Sequence, residues 1–475
     1  MLFNSIDFVI FYIVVTILYF VVPHKLKWII LLAASCYFYM AFVPVYILIL
    51  GFTILIDYFA GIYIENEHNP RRRKLLLAAS LVANIGILFI FKYFNFLNLN
   101  VNILLNKFNY HNPIPYLTIL LPIGLSFHTF QAMSYTIEVY RGNQKAERHF
   151  GIYSLYVMFY PQLVAGPIER PQNVLPQLRI RHKFSYDLMQ SGLKMMLWGF
   201  FKKLVIADRL SIFVNSVYNN PDMHNGTTIA IASFFFAIQI YCDFSGYTDI
   251  AIGCARTMGF DLMRNFNRPY FASNIQDFWR RWHISLSTWF RDYVYIPLGG
   301  SKVSGKRRYL NLFIVFLLSG VWHGANYTYI IWGMLHGLYS VIYILIKPYL
   351  RKTPENKIAA ALMRMGNIAL TISLVTFAWI FFRAASLHDA FTLIRNLRSF
   401  GARPFIGDGV SNFAQSVLAI VLLFILEYKI EYYPEKFNFF SSPNILLRWG
   451  SLTFTILWII VFGVFNGGQF IYFQF

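Results

Sequence analysis

The chain has 475 residues, of which 57% are hydrophobic, 19% aromatic and only 13% charged, whereas soluble domains carry about 25% charged residues. That much apolar surface cannot be buried in a water-soluble core, which excludes a soluble globular protein. The net charge of +20 does not mark a nucleic-acid binder, because the basic residues are split among short loops and form no continuous face.

Apolar stretches recur at 6–22, 28–43, 45–64, 75–97, 116–139, 188–218, 228–254, 310–346, 367–385, 413–427 and 450–465. A membrane helix needs about 20 mainly apolar residues. With 310–346 counted as two passes, the pattern predicts an all-α polytopic membrane protein of about 11–12 transmembrane helices with re-entrant or interfacial helices between them. Backbone amides in lipid must be satisfied within their own segment, which selects helices, whereas an outer-membrane barrel would alternate polar and apolar residues. The first stretch follows no basic residue, and no small-residue cleavage site precedes Pro23-His24-Lys25, so it reads as a retained span. Cys36, Cys242 and Cys254 all fall in apolar spans without C-x-x-C spacing and say nothing of redox compartment.

With the N-terminus outside, Lys25 and Lys27 lie on the cytoplasmic side and the next two passes return Arg71-Arg72-Arg73-Lys74 there, as the positive-inside rule requires. The loop 98–115 falls outside, 141–183 with seven Lys or Arg falls inside, 219–225 falls outside, and 256–308 and 347–357 return to the cytoplasm. Arg395, Arg398 and Arg403 strain this topology by landing outside. Lys194, Lys202 and Lys203 strain it by lying in a nominal span, so 188–218 is expected as two short or partly interfacial helices. No Gly/Ser linker, low-complexity tract or fixed-period repeat interrupts the chain, and residues 1–475 read as a single membrane domain.

Inside 228–254 lie Gln239, Asp243, Ser245 and Asp249, two of them carboxylates that need partners or water at that depth. Pairing with arginines of 280–291 is the preferred reading, and substrate contact is the other. In 274–293, Phe278, Trp282, Leu286, Trp289 and Tyr293 share one helical stripe while Gln276, Arg280, His283, Ser287 and Arg291 share another. This pattern predicts one amphipathic helix. It either lies in the headgroup layer with its arginines on phosphates or folds into the protein with its polar stripe along an aqueous passage. Residues 300–307 read G-x-x-x-x-G-K-R, but no Ser or Thr follows the lysine and no parallel-sheet pattern precedes it, so a basic loop is expected rather than a phosphate-binding one.

His323 follows an apolar run of barely one span, in the segment LLSGVWHGAN at 317–326. Ionisable groups at membrane depth usually face a cavity and serve a function. Gly320 and Gly324 permit close helix packing or a break of the kind that marks membrane binding sites. Gly333-Met-Leu-His336-Gly337 repeats the spacing, and the residues alone do not choose between the two histidines. Either one by itself reads first as packed and hydrogen-bonded. With no H-E-x-x-H and no G-x-S-x-G, zinc protease and serine hydrolase readings lack support, and no metal site is expected.

Several of these segments carry a further signal: PIGLSFHTFQ from Pro122, FYPQLVAGPIERP from Phe159, YCDFSGYTD from Tyr241, RRWH from Arg280 through YIPLGG ending at Gly300, and VWHG from Val321. In them the chain resembles the membrane-bound O-acyltransferase (MBOAT) family, specifically its bacterial alginate O-acetyltransferase branch. The resemblance runs from the first span to the terminal segment 470–475, with its core motifs at about 116–346. It implies a funnel joining the two membrane faces, a catalytic histidine at His323 and a second functional histidine at His283. Arg280, Ser287, Trp282, Asp243, Asp249, Trp322, Asn326 and His128 are the candidates along the substrate path. A neutral imidazole can deprotonate an acceptor hydroxyl as it attacks an activated carbonyl, which gives His323 the role of base and His283 that of guiding the donor or assisting proton transfer.

The function so implied is transfer of an acyl group, acetyl first, from a cytoplasmic donor across the cytoplasmic (inner) membrane for O-acetylation of an extracytoplasmic polysaccharide of the alginate kind. No bound cofactor is expected. The donor is acetyl-CoA or another acyl thioester, and the expected partners are an extracytoplasmic SGNH-type acyltransferase, the polysaccharide acceptor and membrane lipid. Peptidoglycan O-acetylation and D-alanyl transfer to teichoic acid are the alternatives within the family. A polysaccharide or lipid transporter or flippase is the alternative of another class.

Overall fold

The computed structural model describes residues 1–118, 122–350, 354–400, 403–407, 409–434, 439–465 and 471. Residues 119–121 of the anticipated span 116–139, residues 351–353 of the loop 347–357 and all of the terminal motif 470–475 except Ile471 lie outside them. Among the described residues there are helices and no strand, as the apolar pattern requires.

The chain divides into two compact units, Met1–Met196 with Thr248–Met263, and Leu197–Tyr247 with Arg264–Phe475. The first holds α1 (Ile6–Val21), α2 (His24–Met40), α3 (Tyr46–Asn66), α4 (Pro70–Asn106), α5 (Leu125–Arg141), α6 (Phe150–Met158), α7 (Tyr160–Leu163) and α8 (Pro171–Arg179). Local chemistry places their ends. At α4 the Asn69 side chain accepts from the amides of Arg71 and Arg72 and Pro70 opens the helix, so the cap sits directly before the basic cluster. Deeper in the same helix, Ser80 Oγ and Asn84 Nδ2 donate to the fully buried Asp57 carboxylate of α3 at 2.6 and 2.9 Å. Such polar contacts hold two helices together where hydrophobicity, shared with the lipid, cannot.

Helix α9 (Tyr186–Phe200) leads directly into a π-helical stretch, Phe201–Ala207, and then α10 (Asp208–Tyr218), so 188–218 is one continuous helical run with a wider central turn rather than the two short helices expected. α11 (Gly226–Thr257) follows, then α12 (Ile275–Arg281), α13 (Ile284–Phe290), α14 (Gly305–His323), α15 (Tyr327–Ile346), α16 (Lys357–Arg383), α17 (Leu387–Asn396), α18 (Val410–Tyr432) and α19 (Ile445–Phe462). Among the described residues seven helices are long and apolar enough to cross a membrane: α3, α4, α11, α15 extended to Tyr349, α16, α18 and α19. α1 is a shorter apolar helix. α2 and α5 have 17 residues each, and α14 opens on Lys306, Arg307 and Arg308. The chain is a multi-pass membrane protein.

Two of the three lysines that strained the topology, Lys202 and Lys203, are buried on the π-helical stretch. Lys203 Nζ lies 2.7 Å from both Asp208 and Asp243, with all three side chains at most 5% exposed. Asp243 also accepts from the amide of Ile471 at 2.8 Å. The expected pairing of Asp243 with arginines of 280–291 is therefore corrected. The wider turn of the π stretch aims Lys203 into the second unit's interior, and the arginines are engaged elsewhere: Arg281 by Asp277 and Glu431, Arg291 by Asp292. Asp249 lies on the part of α11 that belongs to the first unit.

Candidate active site

The segment 274–293 is not the single amphipathic helix that its stripes predict. α12 ends at Arg281, Trp282 is extended (φ −104°, ψ 128°), and His283 takes a left-handed conformation with φ +42° before α13 begins. A non-glycine residue there is uncommon and persists only when its surroundings fix it. The anchor is Asn265, whose backbone carbonyl accepts from the amide of Ile284 at 2.9 Å and whose side-chain oxygen accepts from the amide of Ser285 at 3.2 Å. It caps α13 from outside the helix, the role that the His283 side chain does not fill. The amide of Asn267 donates to Arg281 O at 2.9 Å, and Glu431 of α18 holds both Arg268 (2.6 Å) and Arg281 (2.8 Å). Sequence periodicity missed Asn265, which is buried but lies nine residues before the segment 274–293 begins.

The break turns His283 inward. Its ring stands 4.6 Å from that of Phe244 on α11 and 6.3 Å from that of Trp322 on α14, and only 1% of the residue is exposed. His283 is thus enclosed by the protein, while Arg280 and Arg291 of the same stripe are exposed. Burial pushes the His283 imidazole down to about 3, so the ring is neutral near pH 7.

His323 is the last residue of α14. Trp322 lies edge-on to it at 4.9 Å, Trp332 at 5.0 Å and Phe382 of α16 at 5.2 Å, and the residue is 5% exposed. On the far side of Trp332, at 4.9 Å, lies His336, which Trp279 also meets at 5.0 Å. One column thus runs His283, Trp322, His323, Trp332, His336, with indoles alternating between imidazoles. Trp332, fully buried, was the member that motif reading passed over. Its only signal was a position four residues before His336.

The hairpin of α14 and α15 sets this column. A β-carbon at Gly320 would run into the Tyr329 carbonyl oxygen, and one at Gly333 would stand 2.5 Å from the Phe316 carbonyl oxygen. The two glycines let the backbones touch, as small residues do in membrane helix pairs. Gly324 is extended and ends α14, so the segment serves both for close packing and for a helix end. Gly320→Ala is expected to lower acyl transfer about tenfold by displacing the helix that carries His323. The rate per chain in membranes measures it, and an unchanged rate would mean that the seam does not position that histidine.

The other anticipated residues have specific places. Trp282 stacks on Phe278 at 5.5 Å and lies 5.1 Å from Trp379, inside the aromatic core rather than on a surface. Ser287 Oγ donates to Trp282 O at 3.2 Å, across the break. Asn326 caps α15 through Thr328 N at 3.1 Å and donates to Ala385 O at 2.9 Å. Arg280 is exposed. His128 is buried on α5 in the first unit.

Residues 149–387 match the family model described as MBOAT, membrane-bound O-acyltransferase family. The chain is 36% identical to the probable alginate O-acetylase AlgI of Pseudomonas aeruginosa over 81% of this chain and 72% of that protein. It is 34% identical to the peptidoglycan O-acetyltransferase of Helicobacter pylori over 77% of this chain and 73% of that protein. To the teichoic acid D-alanyltransferase of Bacillus subtilis it is 29% identical, over 58% of this chain and 71% of that protein.

Proposed function

The chain belongs to the membrane-bound O-acyltransferase family, and from that premise we propose that it passes an acetyl group from a cytoplasmic thioester, acetyl-CoA first, through the cytoplasmic membrane for ester formation on an extracytoplasmic polysaccharide. Similarity to the two acetyltransferases named above is higher and spans more of the chain than similarity to the D-alanyltransferase, which supports acetyl as the group. Their named acceptors, alginate and peptidoglycan, are hydroxyl-rich polymers, and alginate-like exopolysaccharide is the acceptor proposed here. A funnel through the protein would bring donor and acceptor to one site.

The observation that carries this reading is the column His283–Trp322–His323. α14 begins at the basic residues Lys306, Arg307 and Arg308 and ends at His323. At 1.5 Å per residue the imidazole lies about 22 Å along the helix axis from Arg308, at the opposite end from the cationic turn that the positive-inside rule assigns to the cytoplasm. In the proposed reaction His323 takes the proton of the acceptor hydroxyl as its oxygen attacks the thioester carbonyl carbon. The C–S bond breaks, the ester forms, and the leaving sulfur receives that proton from the imidazolium. His283, neutral and held by its strained backbone, orients the donor. An SGNH-type acyltransferase on the outer side would supply the hydroxyl or complete the transfer to polymer.

Membranes given acetyl-CoA labelled in the acetyl group, with polysaccharide on the outer side, are expected to place alkali-labile label on the polymer. Label that never leaves the thioester while polysaccharide still crosses the membrane would favour transport instead.

A further inference from the structure

A cavity of about 270 Å³ in the first unit is separate from the histidine column and is lined by Tyr19, His24, Lys25, Lys27, Trp28 and Arg179 among others. Its two lysines are not matched by acids. Arg179 is answered by the Glu147 carboxylate, but among the described residues no carboxylate pairs with Lys25 or Lys27. Lys27 is 8% exposed; its ammonium lies 4.3 Å from the Tyr19 ring centroid and donates to His182 O at 2.9 Å. Burial, and then Arg181, hold the Lys27 ammonium below its ordinary value. The cavity therefore keeps an uncompensated positive charge close to apolar walls.

The backbone adds to the imbalance. α2 begins at His24 with no side-chain cap and no acidic residue in its first turn, so its free amides and the positive end of its dipole coincide with three basic side chains. This is unfavourable unless an anion is present. Trp28 closes one wall, edge-on to His149 at 4.8 Å, and the missing side chain of Gly151 makes room for it. The positive-inside assignment puts 23–27 and 179–183 on the same cytoplasmic side, where tryptophan favours the interface. The volume suits a phosphate with a small substituent and falls below the roughly 300–1,000 Å³ of sites for larger ligands, so a whole nucleotide thioester does not fit.

We propose that this cavity binds a phosphate-bearing anion at the cytoplasmic membrane surface, supplied either by an anionic phospholipid headgroup or by free phosphate. The full chain in phosphatidylcholine nanodiscs provides the test, through its thermal unfolding midpoint. In one arm phosphatidylglycerol replaces part of the lipid, and in the other inorganic phosphate is titrated. Protection by phosphatidylglycerol alone assigns the headgroup, and protection by phosphate alone assigns the free ion. In either case Lys25→Gln is expected to weaken apparent binding about fivefold, while Lys25→Arg retains it and Lys145→Gln, exposed and outside the lining, changes nothing. Lys25 is exposed, so these variants leave the core intact. No protection in either arm, or equal protection of the parent and Lys25→Gln, overturns the site. The readout needs no turnover, so it stands or falls separately from acyl transfer.

Discussion

Replacing His323 with alanine is expected to lower acyl transfer about a thousandfold, within the 10²–10⁴ range of a positioned general base, while the amount of chain in the membrane is maintained. The expectation rests on position. His323 ends its helix beside two indoles and one phenyl ring, with His283 on the other side of Trp322. His336 provides the internal comparison, since its G-x-x-H-G context is the same at the level of spacing. It is fully buried, and neither ring nitrogen has a hydrogen-bond partner among the described residues. Trp279, Trp332, Phe278 and Phe316 surround it, so it packs as an aromatic. His336→Leu is accordingly expected to retain most of the activity, with a loss of no more than a few-fold from altered packing. Rates of label transfer, normalised to chain level, separate the two variants. Activity surviving in His323→Ala but lost in His336→Leu would exchange the roles assigned to them.

Lys203→Met is expected to destabilise the second unit by about 3–5 kcal/mol, the usual cost of removing one partner from a buried ion pair. Two carboxylates, Asp208 and Asp243, each 2.7 Å from the lysine nitrogen, would then face each other without a countercharge. The mechanism is separable from simple loss of packing. Adding Asp208→Asn and Asp243→Asn to Lys203→Met removes the buried charge, and a partial recovery of the unfolding midpoint in detergent is expected. A triple variant no more stable than Lys203→Met would show that the lysine contributes by shape instead.

The histidines themselves were legible. An imidazole beside glycines at the end of an apolar run is costly enough to stand out in one dimension, and the W-H-G and R-W-H segments made the family recognisable before any coordinates. Lys203 was legible only as an anomaly: a cation in an apolar stretch must have a partner, but the sequence does not say which. The stripe at 274–293 misled because helical periodicity assumes an unbroken backbone. Its apolar members Phe278, Trp282, Leu286 and Trp289 are indeed buried, which is why the pattern looked continuous.

The sequence by itself determined the solvent and the helical class, since hydropathy is a sum over neighbouring residues and needs no knowledge of distant ones. Tertiary structure alone decided that the chain turns left-handed at His283, that Asp243 belongs to Lys203, and that Trp322 stands between two imidazoles. Each of these depends on a partner remote in the chain, Asn265 for the break and the π-helical turn for the ion pair. Pair energies that fall off within a few ångströms are set by which segments meet, and that is fixed only when the helices pack.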